Sequence, residues 1–179
     1  MVREAERRQR ALEGPIVGGL PDAPGIGTAL RLTPSLGAHL SGLADDLLVN
    51  DFPGASITRG EREMLATAVS AANDCFFCMD SHAAHATAVL ERSGDAALVP
   101  LIDGVKTGSS DGFDDKMRAL LHIARTVRRQ SRDLSEDDVQ AAKAAGATDG
   151  DVQLAVLIAA GFSMFNRMVD GFRARTAPT

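Results

Sequence analysis

Apolar residues recur at helical spacing along most of this chain, and no segment has the strict alternation of a half-buried strand. Leu36, Leu40, Leu43, Leu47 and Leu48 form one stripe, after a helix start at Thr33-Pro34-Ser35 with proline in the first turn. That helix is expected to end near Asn50, before Pro53-Gly54. Thr58-Arg59-Gly60-Glu61 has the form of a capping box, with Thr58 as N-cap and Glu61 three residues on. Met64, Leu65, Ala68, Val69 and Ala72 follow on one face. Asn73-Asp74 breaks this helix and is placed to cap the next, from about Cys75 to Arg92, which stops at Ser93-Gly94.

Further along, a short helix is expected over Asp95 to Ile102, then a Gly/Ser/Asp loop from Gly104 to Gly112. Asp114 to Arg128 is amphipathic through Met117, Leu120, Leu121, Ala124 and Val127. Ser135-Glu136-Asp137-Asp138 opens a helix ending near Gly146, and Asp149 or Gly150 opens the last, to about Phe172. Being apolar on nearly all sides, that last helix should be central. The expectation is an all-α domain of six to eight helices over residues 28–179. An arm over 1–27 precedes it, with a short exposed helix expected at Arg3 to Glu13 and a Gly/Pro-rich loop from Gly14 to Gly27.

Composition fits this reading. The hydrophobic fraction is 45%, rich in Ala, Leu and Val, with no Trp, no Tyr and seven Phe. Alanine has the best helix propensity, so such a chain favours closely packed helices. The net charge of -5 argues against a nucleic-acid binder. The N-terminus has no apolar signal segment. The longest apolar run, Leu154 to Phe165, falls short of the roughly 18 residues of a membrane span. A cytoplasmic protein without a membrane partner is expected.

The chain has two cysteines, and they stand three apart. A secreted disulfide scaffold would use more, spread through the chain, so a lone Cys-x-x-Cys points to redox or metal chemistry. On a helix at about 100° per residue, Cys75, Cys78, His82 and His85 lie within about 80° of one another. Cys75 falls at the helix N-terminus, where the dipole and free N–H groups favour a thiolate. Cys78 is four residues before His82, so the two are neighbours on the helix surface. A histidine beside a thiol can take its proton and later return it. Cys78 is therefore expected to attack and Cys75 to resolve, through a sulfenic acid that condenses to a disulfide. Glu63 is the expected third member, carried on the preceding helix with Ala66, Thr67 and Ser70 on its face. Small residues there allow close approach, so Glu63 is expected to reach and orient His82.

Zinc is the rival chemistry, because Cys-x2-Cys-x3-His-x2-His supplies four good ligand types. Geometry opposes it: Cys75 and His85 are about 15 Å apart along one continuous helix, against zinc bonds of about 2.0–2.3 Å. Neither a bound cofactor nor a metal is assigned. His85 divides between a second relay group and an interface or surface residue. His122 is expected to be structural, His39 has no nameable partner, and Phe76 and Phe77 are expected to pack.

The stretch Glu63-x11-Cys75-x2-Cys78-x3-His82 resembles the active-site signature of the AhpD-like alkylhydroperoxidases, of the carboxymuconolactone decarboxylase superfamily. Thr58-Arg59-Gly60-Glu61-Arg62-Glu63, Val69-Ser70-Ala71-Ala72-Asn73-Asp74-Cys75 and Phe165-Asn166-Arg167 agree with it, and the resemblance covers about residues 30–172. It implies an all-helical fold assembled as trimers or hexamers. It also implies a hydroperoxide substrate and a dithiol reductant, the lipoyl-bearing partner of the best-known members. It gives Cys78 the attack, Cys75 the resolution, and Glu63 and His82 the proton relay. Some members carry a histidine directly before the second cysteine, where this chain has Phe77. That implies a slower relay, or one that draws on His85. Non-redox superfamily members generally lack the cysteine pair, which leaves a decarboxylase-like enzyme or a metal-binding Cys/His module as alternatives.

Overall fold

In a computed structural model, residues 15–174 are described. The helix expected at Arg3–Glu13 lies outside them. Among the described residues the fold is all-α, with eight α-helices: α1 Gly27–Leu30, α2 Pro34–Leu48, α3 Arg59–Ala72, α4 Phe76–Ser93, α5 Ile102–Lys106, α6 Asp115–Gln130, α7 Glu136–Ala144 and α8 Asp149–Phe172. Short 3₁₀ turns at Ala96–Leu101 and Ser131–Asp133 join α4 to α5 and α6 to α7.

The helix starts follow local chemistry. Thr58 and Glu61 close a reciprocal capping box, as do Ser135 with Asp138 and Thr148 with Asp151. Thr33 and Asp114 each accept a first-turn backbone N–H at α2 and α6. Each such cap stabilises its helix by about 1 kcal/mol. The core gathers around α3, which packs on α4, α6 and α8. Met64, Leu65 and Val69 of α3 meet Leu120, Leu121 and Ile123 of α6 and Leu154 and Ile158 of α8 in one buried cluster. By length and composition alone α8 could cross a membrane, but half of its most apolar stretch is buried within the fold, as in a core helix.

Three local expectations differ. Only Leu40, Leu47 and Leu48 of the α2 stripe are buried, while Leu36 and Leu43 are exposed. The described part of the fold covers α2 along one narrow strip, so the outer half of the stripe meets solvent. The segment expected to be loop from Gly104 begins inside α5. Leu157 on α8 is exposed, so that helix buries a wide face rather than its whole circumference.

Asp151 couples the start of α8 to the start of α3. Its carboxylate accepts from Ser56 N at 2.6 Å, Ile57 N at 2.9 Å, Ser56 Oγ at 2.7 Å and Thr148 N at 3.0 Å, with Lys116 Nζ at 3.3 Å. The side chain has no solvent exposure. Burial alone would push its pKa up. Hydrogen bonds from Thr148, Ser56 and Ile57 outweigh that and hold the carboxyl well below the usual carboxylate range. Next to it, a Cβ on Gly150 would lie 2.5 Å from the Ala55 nitrogen, so glycine lets the N-terminus of α8 rest against the 53–55 backbone.

Removing one partner of a buried, hydrogen-bonded charge strands the others, so Asp151→Ala should lose roughly 3–5 kcal/mol in a urea unfolding curve. The native carboxyl binds its proton less readily than the unfolded one. The Asp151 contribution should therefore be complete above about pH 4 and lost progressively as pH falls below it. Wild type should lose stability more steeply than Asp151→Asn between about pH 4 and pH 2; equal slopes would contradict this account.

Candidate functional site

The site is built on the turn between α3 and α4. Asn73 ends α3, Asp74 takes a left-handed conformation (φ 59°), and Cys75 stands at the N-cap of α4. Aspartate tolerates that conformation better than most residues. Neither Asn73 nor Asp74 is the N-cap of α4, contrary to expectation, and the N-cap Cys75 makes no side-chain capping bond. The Asn73 amide is committed elsewhere. It donates to Asn166 Oδ1 at 2.8 Å and Ser163 Oγ at 3.3 Å, and accepts from Arg128 Nε at 2.7 Å. Asn166, itself buried, donates to Ser70 Oγ at 3.1 Å, and the Ser70 carbonyl accepts from Cys75 N at 3.0 Å. This network ties the turn before Cys75 to α6 and α8.

The two sulfurs are 2.7 Å apart, with Cys75 donating to Cys78, and both thiols are free. Cys75 is 1% exposed and Cys78 5%. Their surround is apolar: Val169 and Ala174 from the C-terminal end, Ile26 and Phe77 beside them. Gly25 has a positive φ of 52°, and a Cβ on it would fall inside the Phe77 ring, so the arm passes directly under that ring. The Cys75 thiol is pushed far up from its ordinary pKa, first by the hydrogen bond it donates to Cys78, then by burial, with the Cys78 charge and Asp170 adding to it. The helix-dipole expectation for Cys75 is thereby corrected: at the N-cap it keeps its proton and offers it to Cys78.

One turn further along α4, His82 Nδ1 lies 2.8 Å from Glu63 Oε2. The expected contact across the hairpin is present, and Glu63 is buried at 2% exposure. Arg59 approaches the other carboxylate oxygen at 3.9 Å. Thr67 returns its hydroxyl to the Glu63 carbonyl, which keeps that face of α3 compact. The half-buried His82 ring is held edge-on by Phe162, with centroids 4.5 Å apart. His85 is exposed, its ring centroid 6.2 Å from that of His82. The donor atoms of Glu63, His82 and His85 all lie within 4.8 Å of one another.

The five residues picked from sequence thus form two groups on α3 and α4: a dithiol at the helix start, and a Glu/His cluster a turn or two on. His122 lies apart, in a surface pair with Asp138 at 3.0 Å. The sequence reading missed Phe162 against His82, Asn73 and Arg128 behind the turn, and Ile26 and Val169 around the thiols. Only Asn166 left a signal, through the Phe165-Asn166-Arg167 stretch.

A model of the carboxymuconolactone decarboxylase family matches residues 36–110, which contain all five residues. No curated protein sequence matches the chain. Among solved structures, an alkylhydroperoxidase AhpD core from Ralstonia eutropha JMP134, an uncharacterized peroxidase-related protein, is 29% identical with a TM-score of 0.73, over 87% of this chain and 77% of its own. An uncharacterized peroxidase-related protein from Silicibacter sp. TM1040 shares the fold at 24% identity and a TM-score of 0.72, over 93% of this chain and 91% of its own. So does a protein of unknown function from Agrobacterium tumefaciens, proposed as an AhpD antioxidant defence protein, at 17% identity and a TM-score of 0.66, over 84% of this chain and 97% of its own. The family match falls on the two helices that carry the site, and the fold around them is shared with an AhpD core over most of both chains; residues 36–110 are thus similar to the carboxymuconolactone decarboxylase family, set in an AhpD-like fold.

Proposed function

We propose that the chain is a thiol-dependent peroxidase and disulfide oxidoreductase that cycles Cys75 and Cys78 between dithiol and disulfide. The observation that carries this reading is the asymmetry of the pair. The Cys75 thiol donates to Cys78 across 2.7 Å and is itself held protonated. A donated hydrogen bond stabilises negative charge on the receiving sulfur, and the thiolate is the nucleophile. That supports Cys78 as the attacker and Cys75 as the resolver.

In the proposed cycle the Cys78 thiolate attacks the terminal peroxide oxygen. The S–O bond forms, the O–O bond breaks, and the departing alkoxide takes a proton from His82. Cys78 is then a sulfenic acid, two electrons oxidised, and the hydroperoxide has become an alcohol. The Cys75 sulfur displaces hydroxide from Cys78, water leaves, and the disulfide forms. An external dithiol restores both thiols by exchange and carries the two electrons away as its own disulfide. A lipoyl-bearing protein is the proposed source of that dithiol. Glu63 orients His82 through Nδ1. The low exposure of both sulfurs and their apolar surround support an organic hydroperoxide as substrate. They also imply that a bulky reductant reaches the pair only when the 25–26 segment or Phe77 moves. The resemblance implies assembly as a homo-oligomer, and that is proposed for this chain.

One equivalent of an organic hydroperoxide should consume two thiols per wild-type chain, and dihydrolipoamide should restore them. Cys78→Ser should consume no thiol, whereas Cys75→Ser should hold a sulfenic acid trapped by a dimedone probe. Thiols inert to both hydroperoxides and disulfides would overturn the proposal. General acid–base groups contribute about 10²–10⁴-fold, so His82→Gln should slow the thiol-loss step by that order. Glu63→Gln, which keeps the shape and loses the charge, should slow it by less; stopped-flow thiol oxidation reads both.

A further inference from the structure

Glu63, His82 and His85 bring together one carboxylate and two imidazoles from two helices, with donor atoms within 4.8 Å of one another. The cysteines do not belong to this cluster. The sequence pairs both thiols with both histidines as a zinc ligand set, whereas the fold replaces the thiols with a glutamate from α3. Two imidazoles and one carboxylate are the donor set of catalytic-type zinc sites, which keep a fourth position open, and of other first-row transition metals. Hard cations such as Mg²⁺ prefer all-oxygen ligands.

We propose that Glu63, His82 and His85 form a binding site for a divalent transition-metal ion, with Zn²⁺ as the test ion. Ligands held at about 2.0–2.2 Å in tetrahedral geometry stand about 3.3–3.6 Å apart. Glu63 Oε2 and His82 Nδ1 lie closer than that, at 2.8 Å, so they part by roughly 0.5–0.8 Å to admit the ion. The remaining contraction, on the order of 1 Å, falls to His85, whose exposed side chain is free to swing. Glu63 is buried and the His82 ring is held edge-on by Phe162, so both are positioned on the same side of the site and need only a small adjustment.

The consequence for the thiol cycle rests on the function proposed above. The ion takes the lone pairs of His82 and Glu63 that the proton relay uses, so metal occupancy and relay exclude each other. Zinc would hold the protein in a state that retains its dithiol but lacks its acid–base group.

The decisive measurement is Zn²⁺ binding to Cys75→Ser/Cys78→Ser protein by isothermal titration calorimetry, with thermal unfolding alongside. Both thiols are absent there, and the expected result is one Zn²⁺ per chain with a zinc-dependent rise in Tm. Adding His85→Ala should weaken binding by about 10–100-fold or more, since loss of even an outer-shell partner costs that much. The zinc-free Tm should be unchanged, because His85 is exposed. Glu63→Gln should weaken it comparably, provided its zinc-free Tm reports a folded chain. No binding to the thiol-free protein, or binding unaffected by His85→Ala, overturns the site. Neither result bears on whether peroxide oxidises the thiols of wild type, so the two proposals fail separately.

Discussion

The close approach of α3 and α4 is the constraint on which the rest of the site depends. Gly60 sits against Leu90, where a Cβ would come within 2.4 Å of its side chain. Ala66, Thr67 and Ser70 of α3 and Ala83 and Ala86 of α4 are buried and small. Larger residues at these places would separate the helices and put Glu63 out of reach of His82. A buried carboxylate without partners is costly. Here His82 at 2.8 Å and Arg59 at 3.9 Å offset that cost. The glutamate is therefore tolerated inside the hairpin because the histidine is there, and the histidine is oriented because the glutamate is there.

The same hairpin sets the difference between the two cysteines. Two residues, Phe76 and Phe77, separate them in a motif that is symmetric on paper. The chain enters α4 through a left-handed Asp74, which leaves Cys75 at the N-cap and Cys78 within the first turn. From the N-cap the Cys75 thiol donates to Cys78, and with burial that contact keeps the proton on Cys75. The helix dipole, which favours a thiolate at such a position, is outweighed by a short hydrogen bond in an apolar surround. The Asn73–Asn166–Ser70 network holds the turn that produces this arrangement, so α8 bears on the thiols without supplying a reacting group.

What could be read from sequence was whatever depends on neighbours within one helical turn. The Thr58/Glu61 box, the helix start near Asp114, the start of α8 near Asp149 and the stop at Gly94 all appear where their residues predict. The Glu63–His82 pairing was also legible, because a helix hairpin with small residues on the facing side leaves few alternatives. The failures have a common cause. Leu36 and Leu43 carry the right periodicity, but how much of a helix is covered depends on the elements laid over it. Asn73 looks like a cap, but its amide has better partners 90 and 93 residues away in Ser163 and Asn166.

By itself, the sequence determined the helical class, most helix boundaries and the chemistry available: two thiols three apart, a histidine one turn on, a glutamate on the preceding helix. These follow from backbone hydrogen bonding and side-chain spacing, which act over a few residues. Only the tertiary structure decided that a hydrogen bond and burial hold the proton on Cys75, which donors converge around His82, and that Ile26 of the arm packs against the thiols. Each of those depends on burial and on contacts between distant segments. Burial sets the energy of a charge, and no local pattern encodes how deeply a side chain will be buried.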